Sequence, residues 1–143
     1  MPPLGSPGLT LLSLSYRSMH MKKIVIRVGE HSLEAELNDS ETARAIWDAL
    51  PFEGAGQTWG DEIYFRIPVG AEPEDARSQV EIGDVGYWPP GNALCVFYGP
   101  TPASKGDEII PASPVNIVGK MLSDVSVLKG TSSPGLIKVE KGM

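Results

Sequence analysis

The chain has 143 residues, with twelve Lys and Arg against eighteen Asp and Glu, a formal net charge of −6 and a single cysteine. A chain of this length makes one domain and buries roughly 68–70% of its unfolded surface. One cysteine excludes an internal disulfide, and the acidic balance argues against nucleic acid or an anionic membrane as the main partner. No apolar run approaches the roughly 20 residues that cross a bilayer, and the lone thiol fits a reducing, cytoplasmic compartment. Thirteen prolines and sixteen glycines, without a repeat, predict many turns and many short strands.

The first twenty residues differ from the rest. They carry no acidic residue and only Arg17 as a base, and Pro2, Pro3, Gly5, Pro7 and Gly8 break any regular start. Leu9 to Leu14 imitates the apolar stretch of a signal peptide, but no positive charge precedes it and no small-x-small site follows. The expectation is a disordered leader, or a mis-assigned start with the natural beginning at Met19 or Met21, ahead of one domain over residues 21–143.

Lys22 to Val28 reads as a strand, Gly29 to Ser32 as a turn, and the strictly alternating Leu33 to Leu37 as the returning strand of a hairpin. Asn38 is expected to cap a helix, with Glu41 three residues on completing a capping box. Ala43, Ile46, Trp47 and Leu50 then form its apolar face, and Pro51 stops it. Phe52 to Gly60 reads as irregular. Asp61 to Ile67 reads as a strand with Ile63, Phe65 and Ile67 on one face and Glu62, Tyr64 and Arg66 on the other.

Glu72 to Ala76 reads as a solvated loop and Gln79 to Ile82 as a short strand. Val85 to Trp88 is a strand, and Pro89 to Asn92 a rigid corner. Ala93 to Tyr98 is a continuous apolar run between breakers, hence a strand buried on both faces. A long loop over Thr101 to Ser113 leads to a strand at Val115 to Lys120. One helical turn is expected within Ser123 to Leu128, and a last strand at Leu136 to Glu140. Strands do not alternate with helices, so the expectation is an all-β fold: a closed antiparallel barrel of about eight strands with one short α-helix. Closure removes exposed sheet edges.

Three blocks carry a resemblance: Thr58 to Pro68 (TWGDEIYFRIP), Glu81 to Ser104 (EIGDVGYWPPGNALCVFYGPTPAS) and Pro111 to Lys120 (PASPVNIVGK). In that order they resemble an uncharacterised prokaryotic family of small, stand-alone cyclophilin-like proteins, over about Met21 to Glu140. The resemblance implies a cyclophilin-like β-barrel. The chain is also distantly similar to prolyl isomerases of the cyclophilin type, with Gly83 to Trp88, Ala93 to Tyr98 and Val115 to Lys120 resembling three successive isomerase strands. Arg66 lies on the kind of strand that bears the isomerases' arginine. Ala93 or Leu94 stands where they carry a glutamine, and their tryptophan and histidine find no counterpart. The resemblance therefore implies the barrel without the isomerase constellation.

The ligand-binding set expected on that face is Trp59, Glu62, Tyr64, Arg66, Tyr87, Trp88 and Thr101, an aromatic wall with a few polar groups. The competing reading is that these strand aromatics are packing. Arg66 and Glu62 are the candidate catalytic residues. If buried against Trp59 or Tyr64, Glu62 gains a raised pKa and can act as a base; the ordinary fate of a strand glutamate is solvent. Cys95, in the middle of Ala93 to Phe97 with no histidine nearby, reads as a buried structural thiol. His20 and His31 with one cysteine make no zinc pattern, and no glycine-rich phosphate loop occurs, so no metal or cofactor is expected.

Three functions remain open from the sequence. The first is a module binding a small molecule or extended peptide segment without efficient isomerisation. The second is an enzyme: a divergent prolyl isomerase, or a component of an amide- or lactam-hydrolysing system, since similar barrels occur in oxoprolinase and allophanate hydrolase subunits. The third is a structural barrel, forming a homo-oligomer.

Overall fold

The computed structural model describes residues 22–142, so the expectations about the leader lie outside the described residues. Nine strands form one antiparallel sheet: β1 (Lys22–Val28), β2 (His31–Leu37), β3 (Phe52–Ala55), β4 (Gln57–Thr58), β5 (Glu62–Arg66), β6 (Asp84–Trp88), β7 (Ala93–Phe97), β8 (Asn116–Met121) and β9 (Leu136–Lys141). Their order is β3-β9-β1-β2-β8-β6-β7-β5-β4. The two outermost strands are consecutive in the chain, joined at Gly56, so the sheet curls round until its ends nearly meet. A β-carbon at Gly54 would lie 3.0 Å from the Arg66 carbonyl oxygen, which shows how closely β3 approaches β5. The barrel is thus nearly closed.

Alternation along the strands builds the interior. Ile24, Ile26 and Val28 of β1, Leu33, Ala35 and Leu37 of β2, Ile63 and Phe65 of β5, Val85 and Tyr87 of β6, and Leu94 and Val96 of β7 are all buried in one cluster. The helix α1 (Glu41–Ala49) adds Ala43 and Ile46 to it, and Trp47 and Leu50 pack against it half-buried. The apolar face read from the helical period is the face that packs.

Three local readings are corrected. Phe52 to Thr58, expected irregular, supplies β3 and β4; Gly54 and Gly56 are needed there because neighbouring atoms fill the space a side chain would take. Gln79 to Ile82, expected as a strand, makes only an isolated bridge between Val80 and Ile109. The cap of α1 is Ser40, whose hydroxyl accepts from Ala43 N at 3.1 Å, while Asn38 Oδ1 accepts from Ser40 N at 3.0 Å.

The partner of the helix start comes from elsewhere in the chain. The Glu74 carboxylate accepts from Glu41 N (3.0 Å), Thr42 N (2.9 Å) and Thr42 Oγ1 (2.7 Å). The loop carrying it is pinned in turn by buried Asn116 of β8, which accepts from Glu74 N at 2.8 Å and donates to Glu72 O at 3.0 Å and Thr42 Oγ1 at 3.1 Å. Glu72 to Ala76 is thus the largely exposed loop the sequence reads, pinned in place by Asn116 and the helix start. Donors and the helix N-terminus favour the ionised form and hold the Glu74 carboxyl below its ordinary pKa. A depressed folded pKa gives stability that is present above the unfolded value, about 4.5, and lost as pH falls through the folded one. Glu74→Ala is expected to cost about 1–2 kcal/mol at pH 7, the value of a lost cap. The deficit should shrink at about pH 3, as denaturant midpoints at the two pH values will show.

Candidate functional site

β7 is buried along its whole length because both of its faces are covered. Leu94 and Val96 face the barrel interior, whereas Cys95 and Phe97 belong to a second, smaller cluster with Val80, Ile109 and Val115. The segments around Val80 and Ile109 lie over the outer face of the sheet and form that cluster's roof. Tyr64, Trp88 and Ile117 pack half-buried at its margin. A hollow of about 210 Å3 opens there, lined by Trp59, Glu62, Tyr64, Trp88 and Ala112.

Register explains who lines it. Glu62 stands opposite Phe97, Tyr64 opposite Cys95 and Arg66 opposite Ala93 across the β5–β7 ladder, and Trp88 opposite Ala93 across β6–β7. Residues directly opposite share a face, so Glu62, Tyr64, Arg66 and Trp88 all belong to the outer face. The hairpin from β4 to β5 turns at Gly60-Asp61, with Gly60 at φ 61°, a conformation only glycine adopts without strain. The turn brings Trp59 N to donate to Glu62 O at 2.9 Å and sets the Trp59 indole beside Glu62. Asp61 N donates to Pro100 O, and Tyr98 N to Asp61 O, both at 2.9 Å, which ties the turn to the elbow after β7. The rings are held at their rims: Trp88 Nε1 donates to Ser113 Oγ at 2.7 Å and Tyr64 OH to Gln57 Oε1 at 3.0 Å.

Glu62 is the one ionisable carboxyl in this lining, and only 6% of it is exposed. Burial raises its pKa from 4.5 to about 7, opposed only by the neighbouring Cys95 thiol. The same burial, reinforced by the Glu62 charge, pushes the Cys95 thiol well above its ordinary value and so keeps it in the protonated, weakly nucleophilic form. Tyr98, buried and close to Asp61 and Glu62, is pushed up to about 12.

Four of the seven residues expected at the site are thus brought together: Trp59, Glu62, Tyr64 and Trp88. The other three lie elsewhere. Tyr87 is fully buried in the barrel interior, where its hydroxyl donates to Val69 O at 2.6 Å and accepts from Ala71 N at 3.1 Å. It is adjacent to Trp88 on one strand, and adjacent strand residues point to opposite faces. Thr101 is buried as a loop tie: its N donates to Ser104 Oγ at 3.0 Å and its hydroxyl to Ile110 O. Arg66 is exposed on the outer face but does not line the hollow. It is four residues from Glu62 along a strand, about 13 Å. Ala112, contributed by the long loop, carries no chemical signal that would have singled it out. Among the described residues, no group of three or more His, Cys, Asp or Glu side chains is placed to hold a metal ion. No helix among them is long and apolar enough to cross a membrane.

Comparison with known proteins places this arrangement. No curated protein matches the chain. The solution structure of a hypothetical protein from Archaeoglobus fulgidus is similar at 41% sequence identity and a TM-score of 0.73, covering 85% of this chain and 95% of that one. A family profile described as Cyclophilin-like matches residues 22–140, which is essentially the whole barrel from β1 to β9. By profile and barrel alike, the chain belongs to the cyclophilin-like family.

Proposed function

We propose that the protein is a binding module whose outer-face hollow takes a small molecule, or one side chain of an extended peptide, without efficient prolyl isomerisation. The observation that carries this reading is the hollow itself: three aromatic side chains around one buried carboxyl, on the sheet face reinforced by the second cluster. Its volume of about 210 Å3 lies below the roughly 300–1,000 Å3 of sites that enclose a whole drug-sized ligand. It suits a head group or a single side chain. Rings fixed by Ser113 and Gln57 make such a site preformed, which lowers the entropic cost of binding. The buried single cysteine supports a reducing, cytoplasmic setting for this module.

A fragment screen by NMR tests the reading. Binding fragments are expected to shift the indole signals of Trp59 and Trp88, while Trp47, on α1, stays still as an internal control. Hits that map elsewhere, or none at millimolar concentration, would remove the hollow as the site. In parallel, the protein should not accelerate isomerisation of an Xaa-Pro peptide. Acceleration that Arg66→Ala abolishes would replace the binding reading with a divergent isomerase.

A second reading rests on Glu62. A carboxyl that titrates at about 7 is suited to general acid–base catalysis at neutral pH. In that reading the barrel is one component of an amide- or lactam-hydrolysing system, Glu62 is its base, and a partner protein completes the site. The link to hydrolase subunits is an analogy of fold. Turnover of a lactam or amide that Glu62→Gln abolishes is the result that would select it.

A further inference from the structure

The hollow has a composition that goes further than aromatic. Its walls are the rings of Trp59, Tyr64 and Trp88, its fourth side is the Glu62 carboxyl, and Ala112 adds only a methyl group. No ion pair to Glu62 occurs among the described residues, and no N–H or O–H donor there reaches its carboxyl oxygens; the neighbouring Cys95 thiol donates to Ala93 O at 3.9 Å. Neither oxygen is a sealed orphan, since no buried side-chain oxygen lacks both partner and access. The carboxyl therefore faces the hollow, nine-tenths buried, and no counter-charge for it occurs among the described residues. Aromatic faces carry negative quadrupoles, and a cation among several of them beside a desolvated carboxylate is attracted by every wall.

We propose that the hollow recognises an organic cation, an alkylammonium head group seated among Trp59, Tyr64 and Trp88 and paired with Glu62. This rests on the binding-module reading and names its ligand class. A primary or quaternary ammonium group fits both the walls and the volume of about 210 Å3. An anion is disfavoured by Glu62, and no Lys, Arg or His among the described residues lines the hollow. The remaining ionisable neighbours do not change this balance. Asp61 is adjacent in sequence and has its own partner, Lys129 Nζ at 3.4 Å from its Oδ2. Cys95, whose thiol is pushed up by burial, is neutral at physiological pH, as is Tyr98, whose pKa is about 12. The long loop's Lys105, Asp107 and Glu108 do not line the hollow.

The test compares two cations, choline and n-butylammonium, with their neutral isosteres, 3,3-dimethylbutan-1-ol and butan-1-ol. Binding is followed through the Trp59 and Trp88 indole signals. At pH 8.5 at least one cation should bind more than about ten-fold tighter than its isostere. Its affinity should fall by up to about 30-fold at pH 5.5, as a carboxyl titrating at about 7 becomes protonated. Glu62→Gln should erase the preference and the pH dependence. This variant relieves a buried charge, so loss of binding will not come from unfolding; a thermal melt confirms the fold. If the neutral isostere binds as well as the cation, the ligand class is wrong while the hollow stands as a binding site. A cation preference that survives Glu62→Gln also overturns the proposal. If neither cations nor isosteres move the two indoles at tens of millimolar, the cation proposal falls together with the site beneath it.

Discussion

Glu62→Gln is expected to stabilise the protein by about 3 kcal/mol at pH 8 and to leave it nearly unchanged at pH 4.5. The sign follows from linkage. The Glu62 carboxyl has a folded-state pKa of about 7 against an ordinary 4.5, because burial penalises its charged form. Below about pH 4.5 both states of the chain hold the proton and the group is silent. Between about 4.5 and 7 the unfolded chain releases the proton first, so stability declines as pH rises, and above about 7 the full penalty applies. A tenfold change in a protonation equilibrium is worth about 1.4 kcal/mol, which sets the size of the effect. Glutamine has nearly the same shape and no charge, so the gain should track pH and not the mutation as such. Denaturant unfolding of both proteins from pH 4.5 to 8 checks it, and parallel curves at all pH values would contradict it.

Gly119→Ala is expected to cost about 3 kcal/mol, at the upper end of overpacking effects. Gly119 of β8 pairs with Leu37 of β2 on one side and Val85 of β6 on the other. A β-carbon there would press on the Glu36 carbonyl oxygen and come within 3.2 Å of Glu36 C and Leu37 Cα. All three are backbone atoms, which cannot turn aside as a flexible side chain can. The two strands would have to separate, weakening the neighbouring bond from Asn38 N to Val118 O, now 2.8 Å. A fall in denaturant midpoint with an unchanged slope is the expected signature. A loss below about 1 kcal/mol would mean that the strands yield more easily than their close approach indicates.

How much of this was legible in the sequence depends on the element. Strict alternation in Glu62 to Arg66 placed Glu62, Tyr64 and Arg66 on one face, and the register bears that out. The breaker-bounded run from Ala93 announced a strand covered on both sides, and the second cluster supplies the cover. What misled was reading neighbours as a group. Tyr87 and Trp88 are adjacent, so a strand sends them to opposite faces, and only Trp88 reaches the hollow. Thr101 reads as a polar site residue, yet its T-x-x-S spacing to Ser104 is a loop tie. Glu74 was invisible as a cap because its partners lie more than thirty positions earlier in the chain. Gly54 and Gly56 hid β3 and β4, because glycine lowers strand propensity where close approach requires it. For Glu62 the sequence supplied the condition, burial against Trp59 or Tyr64, but burial itself depends on the loop that carries Ala112.

The most direct test of this account is the titration of the Glu62 side-chain carboxyl, followed by 13C NMR and assigned with Glu62→Gln. A midpoint at about 7 is expected, well above the ordinary 4.5. A midpoint at the ordinary 4.5 would mean that the carboxyl is solvated, and the hollow, the binding reading and the cation proposal would all lose the group they are built around.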